Sequence, residues 1–341
     1  MLFDNTSLKE WFVAEKRDLP WRNGTDPYAV WISEVMLQQT QVAVVIPYFE
    51  RWMKRFPTIQ HLADASLDQV IKEWEGLGYY SRARNLHAGA QYVLEVHQGI
   101  LPQTAAELIK IKGLGEYTVG AILSFAFHKR AAAVDGNVIR VLCRYFRVEE
   151  DIAKPKTVTE IRKIALELLS EEESWIVNEG LIELGATICT RNPKCGICPL
   201  KATCKGFLGG VASELPIKSK KIKVEQLYRS VAVIQSEGHI LVKRGEAGKI
   251  MSDLHEFPYL EVAKEEMNAD FESVTGLKLK VDRILDEVNH SFTRFKVNLR
   301  PVLMKCEEKS DVEGYQWCEV GRLRELAFSS GHRRVLGQIE G

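Results

Sequence analysis

The chain has 341 residues, 45% of them hydrophobic, which suits one large or two ordinary packed domains and excludes a disordered chain. Its 46 basic and 46 acidic residues balance, so net charge gives no sign of a nucleic-acid partner and any such sign must come from local motifs. No run of 18 apolar residues predicts a membrane span, and the start MLFDNTSLKEWF lacks the basic region and apolar core of a signal peptide, so a cytoplasmic protein is expected.

Residues 1–205 read as mostly helical. WISEVMLQQ (31–39), VIPYFERWMKRF (45–56), TVTEIRKIALELL (157–169) and WIVNEGLIELGA (175–186) place apolar residues at three- and four-residue steps. Thr40 is the expected cap of the helix after QQ, and Pro47 marks a kink or a start. GLGYYSRARN (76–85) offers a Gly turn with two aromatics and two arginines. IKGLGEYTVGA (111–121) reads as two helices joined by a tight Gly turn. In VDGNV (134–138), Asn137 is the expected cap of the helix VIRVLCRYF. After Cys204, GFLGGVASELPIKSKKIKV reads as a linker. Strand-like runs follow, LYRSVAVIQ, GHILVKRG, HEFPYLEV and FKVNLRPVLMK, with helical patterns at AKEEMNADFESVTG and EVGRLRELAF. Residues 224–341 thus predict an α/β domain.

Four of the seven cysteines, Cys189, Cys195, Cys198 and Cys204, fall within sixteen residues at spacing C-x5-C-x2-C-x5-C, while Cys143, Cys306 and Cys318 are scattered. This implies one metal site in a reducing compartment, with an iron–sulfur cluster and a zinc ion both open. The turn at Gly113 and Gly115 leaves backbone N–H groups uncovered at a helix start, which suits a phosphate, although an ordinary αα-turn looks the same. Glu34, inside an apolar helix, is either an exposed residue or a buried acid with a raised pKa. Asp135, twenty residues past Gly115, is either turn chemistry or a carboxylate facing a substrate.

SEVMLQQTQV, GLGYYSRARNL, IKGLGEYTVGAI, VDGNVIRV and the four-cysteine loop follow one another in order. In that order the sequence resembles the adenine DNA glycosylases of the MutY family, among the helix-hairpin-helix glycosylases, over nearly its whole length. The resemblance implies a mainly α helix-hairpin-helix glycosylase with a Nudix-like α/β C-terminal domain. Residues 1–208 would form the catalytic region, with a six-helix barrel at about 24–130 and a cluster domain at 1–23 plus 131–208. A linker at 209–223 and a lesion-recognition domain at 224–341 would follow. The implied activity is removal of adenine mispaired with 8-oxoguanine or guanine in duplex DNA, by a monomer carrying a 4Fe–4S cluster on Cys189, Cys195, Cys198 and Cys204. Glu34 would be the acid toward adenine N7, and Asp135 the stabiliser or nucleophile, buttressed by Tyr117 and Asn137. Gly113 and Gly115 would position a phosphate. Gln39, Leu77 and Tyr79 would wedge the duplex, and Arg17, Leu19, Trp21 and Glu179 would line the adenine pocket. Phe292, Thr293 and Arg294 would read the lesion.

Three departures stand out. The first cysteine gap holds five residues where the family usually has six. Arg294 replaces the histidine of the Phe-Ser/Thr-His loop, and His255 replaces the tryptophan of Trp-Glu-Phe-Pro. The clustered glutamates of a Nudix hydrolase are missing, which implies recognition without diphosphatase activity. The rival readings are an endonuclease III-like glycosylase with lyase activity and a catalytically inactive iron–sulfur DNA-binding protein. The former uses a lysine where this chain has Tyr117, and the latter would not need both Glu34 and Asp135.

Overall fold

Local capping chemistry starts several of the helices. In a computed structural model, which describes residues 3–219, 223–246, 248–249, 251–264 and 270–339, α1 (Asn5–Glu15) begins where Asp4 accepts from the Ser7 N–H, and α2 (Pro27–Leu37) where Asp26 accepts from the Tyr28 N–H with Pro27 in the first turn. α3 (Val42–Arg55) carries Pro47 inside it and starts from Gln41 with no side-chain cap, so Thr40 is not the cap expected of it. Thr40 instead lies one residue past Gln39, whose φ of +58° turns the chain between α2 and α3. α4 (Ile59–Asp64), α5 (Leu67–Glu73) and α6 (Ser81–His97) follow. α7 (Ala105–Leu108) and α8 (Glu116–Ala121) form the expected helical hairpin, and α8 passes directly into a π-helical turn at Ile122–Ala126.

α9 (Gly136–Phe146) starts on Asp135, not Asn137: Oδ1 of Asp135 accepts from the Val138 N–H at 2.8 Å. The carboxylate sits one residue before the helix, where its oxygen reaches the uncovered N–H groups of the first turn. Asn137 is already inside the helix. α10 (Pro155–Leu168), α11 (Ser174–Thr187) and α12 (Lys205–Leu208) complete this part. Leu8, Val138, Leu142, Leu181 and Leu184 share a core in which α1, α9, α10 and α11 pack together. Two glycines let the backbones approach closely. A Cβ on Gly120 would lie 2.1 Å from the Ala132 carbonyl oxygen, and one on Gly185 would lie 2.5 Å from Cβ of Asn137.

The chain divides into two compact units: Met1–Asp64 with Asn85–Lys221, and Ala65–Arg84 with Ile222–Gly341. The second contains a mixed sheet. β1 (Glu225–Ser236) runs parallel to β7 (Phe295–Cys306), pairing Glu225 with Phe295 through Gln235 with Lys305. β2 (His239–Arg244) and β4 (Tyr259–Glu261) are antiparallel to β1, and β3 (His255–Glu256) and β8 (Gln316–Glu319) to β2. β5 (Leu279–Ile284) and β6 (Val288–Phe292) are antiparallel to β7. One face buries Val231, Val233, Leu299 and Phe328, and the other Ala232, Ile234, Leu241 and Phe271. This is the alternation of a sheet covered on both sides.

Three expectations change here. HEFPYLEV is not one strand: Phe257 and Pro258 separate β3, on β2, from β4, on β1. EVGRLRELAF is not a helix. Only Val320–Arg322 form a 3-10 turn, and the far end is drawn out by a bridge from Phe328 to His255. The helix comes later, as α14 (Ser330–Gly337). Within AKEEMNADFESVTG, only α13 (Phe271–Thr275) is helical, and residues 265–269 lie outside the described residues.

Candidate active site

α2 is apolar on almost every side: Val30, Trp31, Ile32, Val35 and Met36 are buried. Glu34 projects from the middle of that helix and is 6% exposed. The Tyr117 hydroxyl, presented by the first turn of α8, donates to Glu34 Oε2. Burial pushes the Glu34 carboxyl up from 4.5 to about 7. The Tyr117 bond and Arg22 oppose the rise, while the nearby charges of Asp135 and Glu179 reinforce it.

Asp135 has different surroundings. Besides the Val138 amide, Nδ2 of Asn137 donates to its Oδ2 at 2.7 Å. Burial raises its pKa, but these donors bond the ionised form and oppose the rise, as does Arg140. Arg140 in turn donates to Asn137 Oδ1 and to the Gly185 carbonyl, both at 2.7 Å, which fixes the amide that holds the carboxylate.

Glu34, Tyr117, Asp135 and Asn137 line one cavity of about 1140 Å³, together with Gly113, Gly115, Gln39, Arg17, Leu19, Trp21 and Glu179. The structure therefore brings together eleven of the residues singled out from the sequence. Gly113 has φ +88°, and a Cβ there would meet Cβ of Asn85 at 2.6 Å, so the turn requires glycine. Gly115 caps α8 without a side-chain bond, which leaves amides of the first turn facing open space.

Leu77 and Tyr79 belong to the second unit, as do Phe292, Thr293 and Arg294. Leu77 is buried, whereas Tyr79 is 45% exposed with φ +48°. Thr293 and Arg294 form the two-residue turn between β6 and β7, with Phe292 paired to Phe295 across it. Thr293 has φ +48°, a strained value for a β-branched residue. Arg294 makes an ion pair with Glu225 at 3.3 Å and covers the Phe295 ring.

Arg22 and Glu183 also line this cavity and were not picked out from the sequence. Arg22 bridges Glu179 at 3.0 Å and Glu183 at 2.9 Å. Glu183, fully buried, also receives Arg17, and the two guanidiniums hold its pKa down against burial. The i, i+4 spacing of Glu179 and Glu183 on α11, with arginines at 17 and 22, was the available signal.

Cys189, Cys195, Cys198 and Cys204 line a separate pocket with Arg144, Ile188, Pro193 and Phe207. Burial raises the Cys195, Cys198 and Cys204 thiols, Cys198 to about 11, so thiolates there need added positive charge. Arg144 supplies some of it, 3.3 Å from Cys189 Sγ, and also donates to the carbonyls of Thr190 and Arg191. Among the described residues no group of three or more His, Cys, Asp or Glu is arranged to hold a single metal ion. Four soft thiol donors around one apolar pocket suit an iron–sulfur cluster, and a zinc ion takes the same donor set.

Residues 32–169 match the family described as HhH-GPD superfamily base excision DNA repair protein, and residues 230–338 match the NUDIX domain. A solved structure of a thermostable thymine-DNA glycosylase aligns with TM-score 0.55 and 26% identity over 60% of this chain and 94% of that one. A trapped endonuclease III–DNA covalent intermediate aligns at TM-score 0.51 and 24% identity, again over 60% of this chain, and shows the shared fold. Helical hairpin, acid-lined cavity and these matches define a base-excision DNA glycosylase with a C-terminal Nudix domain. More narrowly, the chain is 35% identical over 305 residues to an adenine DNA glycosylase of Buchnera aphidicola, covering 89% of this chain and 86% of that protein. It is 46% identical over 209 residues to the human adenine DNA glycosylase, covering 58% of this chain and 38% of that protein. The chain belongs to the adenine DNA glycosylase family.

Proposed function

We propose that this chain excises adenine paired with 8-oxoguanine or guanine in duplex DNA, without cutting the strand. The observation that carries the reading is Glu34, a buried acid with a pKa of about 7, in the same cavity as an Asp135 bonded to donors that favour its charge. Two carboxyl groups with environments this different divide naturally into acid and anion. With adenine flipped into the cavity, the protonated Glu34 would give its proton to adenine N7 as the bond between N9 and the sugar C1′ breaks. The bonding electrons leave with the base, and Asp135 stabilises the cation at C1′ or closes on it as an ester. Water then takes the base's place on C1′ and releases a proton, leaving an abasic sugar. Asn137 and Tyr117 hold the two carboxyl groups. Arg17, Leu19, Trp21 and Glu179 would surround the base, and Gly113 and Gly115 would seat a phosphate.

Gln39, Leu77 and Tyr79 would fill the gap left by the flipped base, and Phe292, Thr293 and Arg294 would read the opposite one. Residues 1–208 would serve as the catalytic region, residues 209–223 as linker and residues 224–341 as recognition domain. Cys189, Cys195, Cys198 and Cys204 would hold a 4Fe–4S cluster, which would tie together the loop that follows α11. Tyr117 stands on α8 where a lyase would need its lysine, which supports a glycosylase without lyase activity. A duplex with adenine opposite 8-oxoguanine tests the reading. The expected strand break appears only after alkali treatment. Cleavage at full rate without alkali would assign a lyase, and none even with alkali would remove the glycosylase.

A further inference from the structure

Within the second unit, the turn that carries Leu77 and Tyr79 is tied down at three places. Arg84 donates to the Ser252 carbonyl at 3.2 Å and to Asp253 at 3.3 Å, and Arg244 donates to Asp68 at 2.6 Å. The third tie is the most elaborate. Glu75, one residue before Gly76, accepts from the Phe328 N–H at 2.9 Å. It also takes both prongs of the Arg333 guanidinium, at 2.7 and 3.2 Å, and the Lys72 ammonium at 2.7 Å. Lys72 and Arg333 both donate to the Leu326 carbonyl as well. The Glu75 side chain is only 14% exposed, so this two-pronged pair is more than an ordinary surface salt bridge.

Both ends of the pair lead to elements assigned to DNA. On one side, the turn after Glu75 is rigid: Trp74 Nε1 donates to the Gly78 carbonyl at 3.0 Å, the Tyr80 hydroxyl accepts from the Gly76 N–H at 3.0 Å, and Arg82 donates to the Leu77 and Gly78 carbonyls. On the other, Arg333 lies on α14, whose Gly331 packs so tightly on β6 that a Cβ would meet the His290 ring at 2.7 Å. His290 is two residues before Phe292 on the same strand, with the two rings 5.6 Å apart. α14 thus reaches Glu75, at the entrance to the turn, through Arg333 and packs on the strand of Phe292 through Gly331.

We propose that the Glu75–Arg333 pair is a specificity-determining contact: it fixes the Leu77–Tyr79 turn to the helix that supports the Phe292–Thr293–Arg294 loop, so that reading the opposite base and filling the duplex act as one step. This rests on the lesion-reading role given to that loop above. Glu75 and Arg333 are positioning residues that touch neither adenine nor the reacting atoms.

The test uses the full chain and single-turnover excision of adenine opposite 8-oxoguanine and opposite guanine. Arg333→Ala should lower the preference for 8-oxoguanine about five-fold, the factor that an interaction near the ordinary hydrogen-bond scale represents, while the rate opposite guanine stays unchanged. Glu75→Gln should do the same. Combined with Thr293→Ala, Arg333→Ala should cost less than the product of the two separate losses, because the contacts act in series. Should Arg333→Ala fold poorly in a thermal melt, Arg333→Lys decides, since it keeps the charge and the helix but loses the two-pronged bond. Equal losses on both duplexes would make the pair merely structural and overturn the proposal. A preference weakened by Thr293→Ala but untouched by Arg333→Ala or Arg333→Lys would also overturn it and leave the loop's role standing. A preference that survives Thr293→Ala would remove the loop's role, and the proposal with it.

Discussion

α2 places the Glu34 carboxyl among buried apolar side chains, with the Tyr117 hydroxyl as its hydrogen-bond donor, and burial pushes its pKa up to about 7. The rate of adenine excision should therefore fall as pH rises through about 7, roughly ten-fold per unit above it, as the proton is lost. Stability follows the same titration. The folded pKa is raised above the ordinary 4.5, so the folded chain holds the proton more tightly, and the resulting stabilisation is fully present below pH 4.5 and lost between 4.5 and about 7. Above that range a charged Glu34 costs up to about 3 kcal/mol. Glu34→Gln removes the titration, so its melting temperature relative to wild type should be higher at pH 8 than at pH 4. An equal difference at both pH values would mean the carboxyl is not perturbed. In the sequence, Glu34 had two readings, because a glutamate between apolar residues looks the same whether it faces water or a cavity. The choice is made by the walls that α8 and the π-helical turn after it place around α2, and those contacts are distant in the chain. Asn137 as a cap was a reasonable expectation from composition, yet Asp135 takes the position because the helix starts two residues earlier than its apolar pattern. Arg22 and Glu183 were missed because their partners lie about 160 positions away.

At the scale of elements, legibility tracked amphipathic periodicity. α2, α3, α10 and α11 appeared where apolar steps of three and four predict them; β1 and β2 carry apolar runs, VAVI and ILV, where both faces of the sheet are covered, and β7 alternates through FKVNLR before its run PVLM. β5 was not singled out although LKLKVD (277–282) alternates: from Lys280 to Ile284 the strand is exposed, and it is held by its pairing with β7. EVGRLRELAF had helical spacing, but Phe328 is recruited to the edge at His255 and the backbone extends. The cysteine loop tests a further element. Its first gap is one residue short of the family pattern, and its four cysteines nevertheless line one pocket. Protein purified without oxygen should be brown, with about four irons per chain by elemental analysis. One zinc per chain and no visible absorbance would replace the cluster with a tetrahedral ion.

Over the whole molecule, the division between units does not follow the division read from the sequence. Residues 65–84 lie inside the stretch matched to the glycosylase family yet pack with residues 222–341. Composition could not reveal this, because Glu75 and Arg333 are 258 positions apart and each looks like an ordinary charged surface residue. It also means that a truncation at residue 223 would strip partners from the Leu77–Tyr79 turn, so single substitutions in the full chain are the sounder probes. In the proposed reaction the first unit carries the chemistry, and Glu34 would give a proton to the departing adenine. The most direct measurement is single-turnover release of adenine from a duplex with 8-oxoguanine opposite, for wild type and Glu34→Gln, with duplex affinity measured alongside. The variant should bind the duplex as wild type does and release adenine at least 100-fold more slowly, the usual scale of lost general acid catalysis. A variant that releases adenine at the wild-type rate would contradict the assignment of Glu34 as the acid.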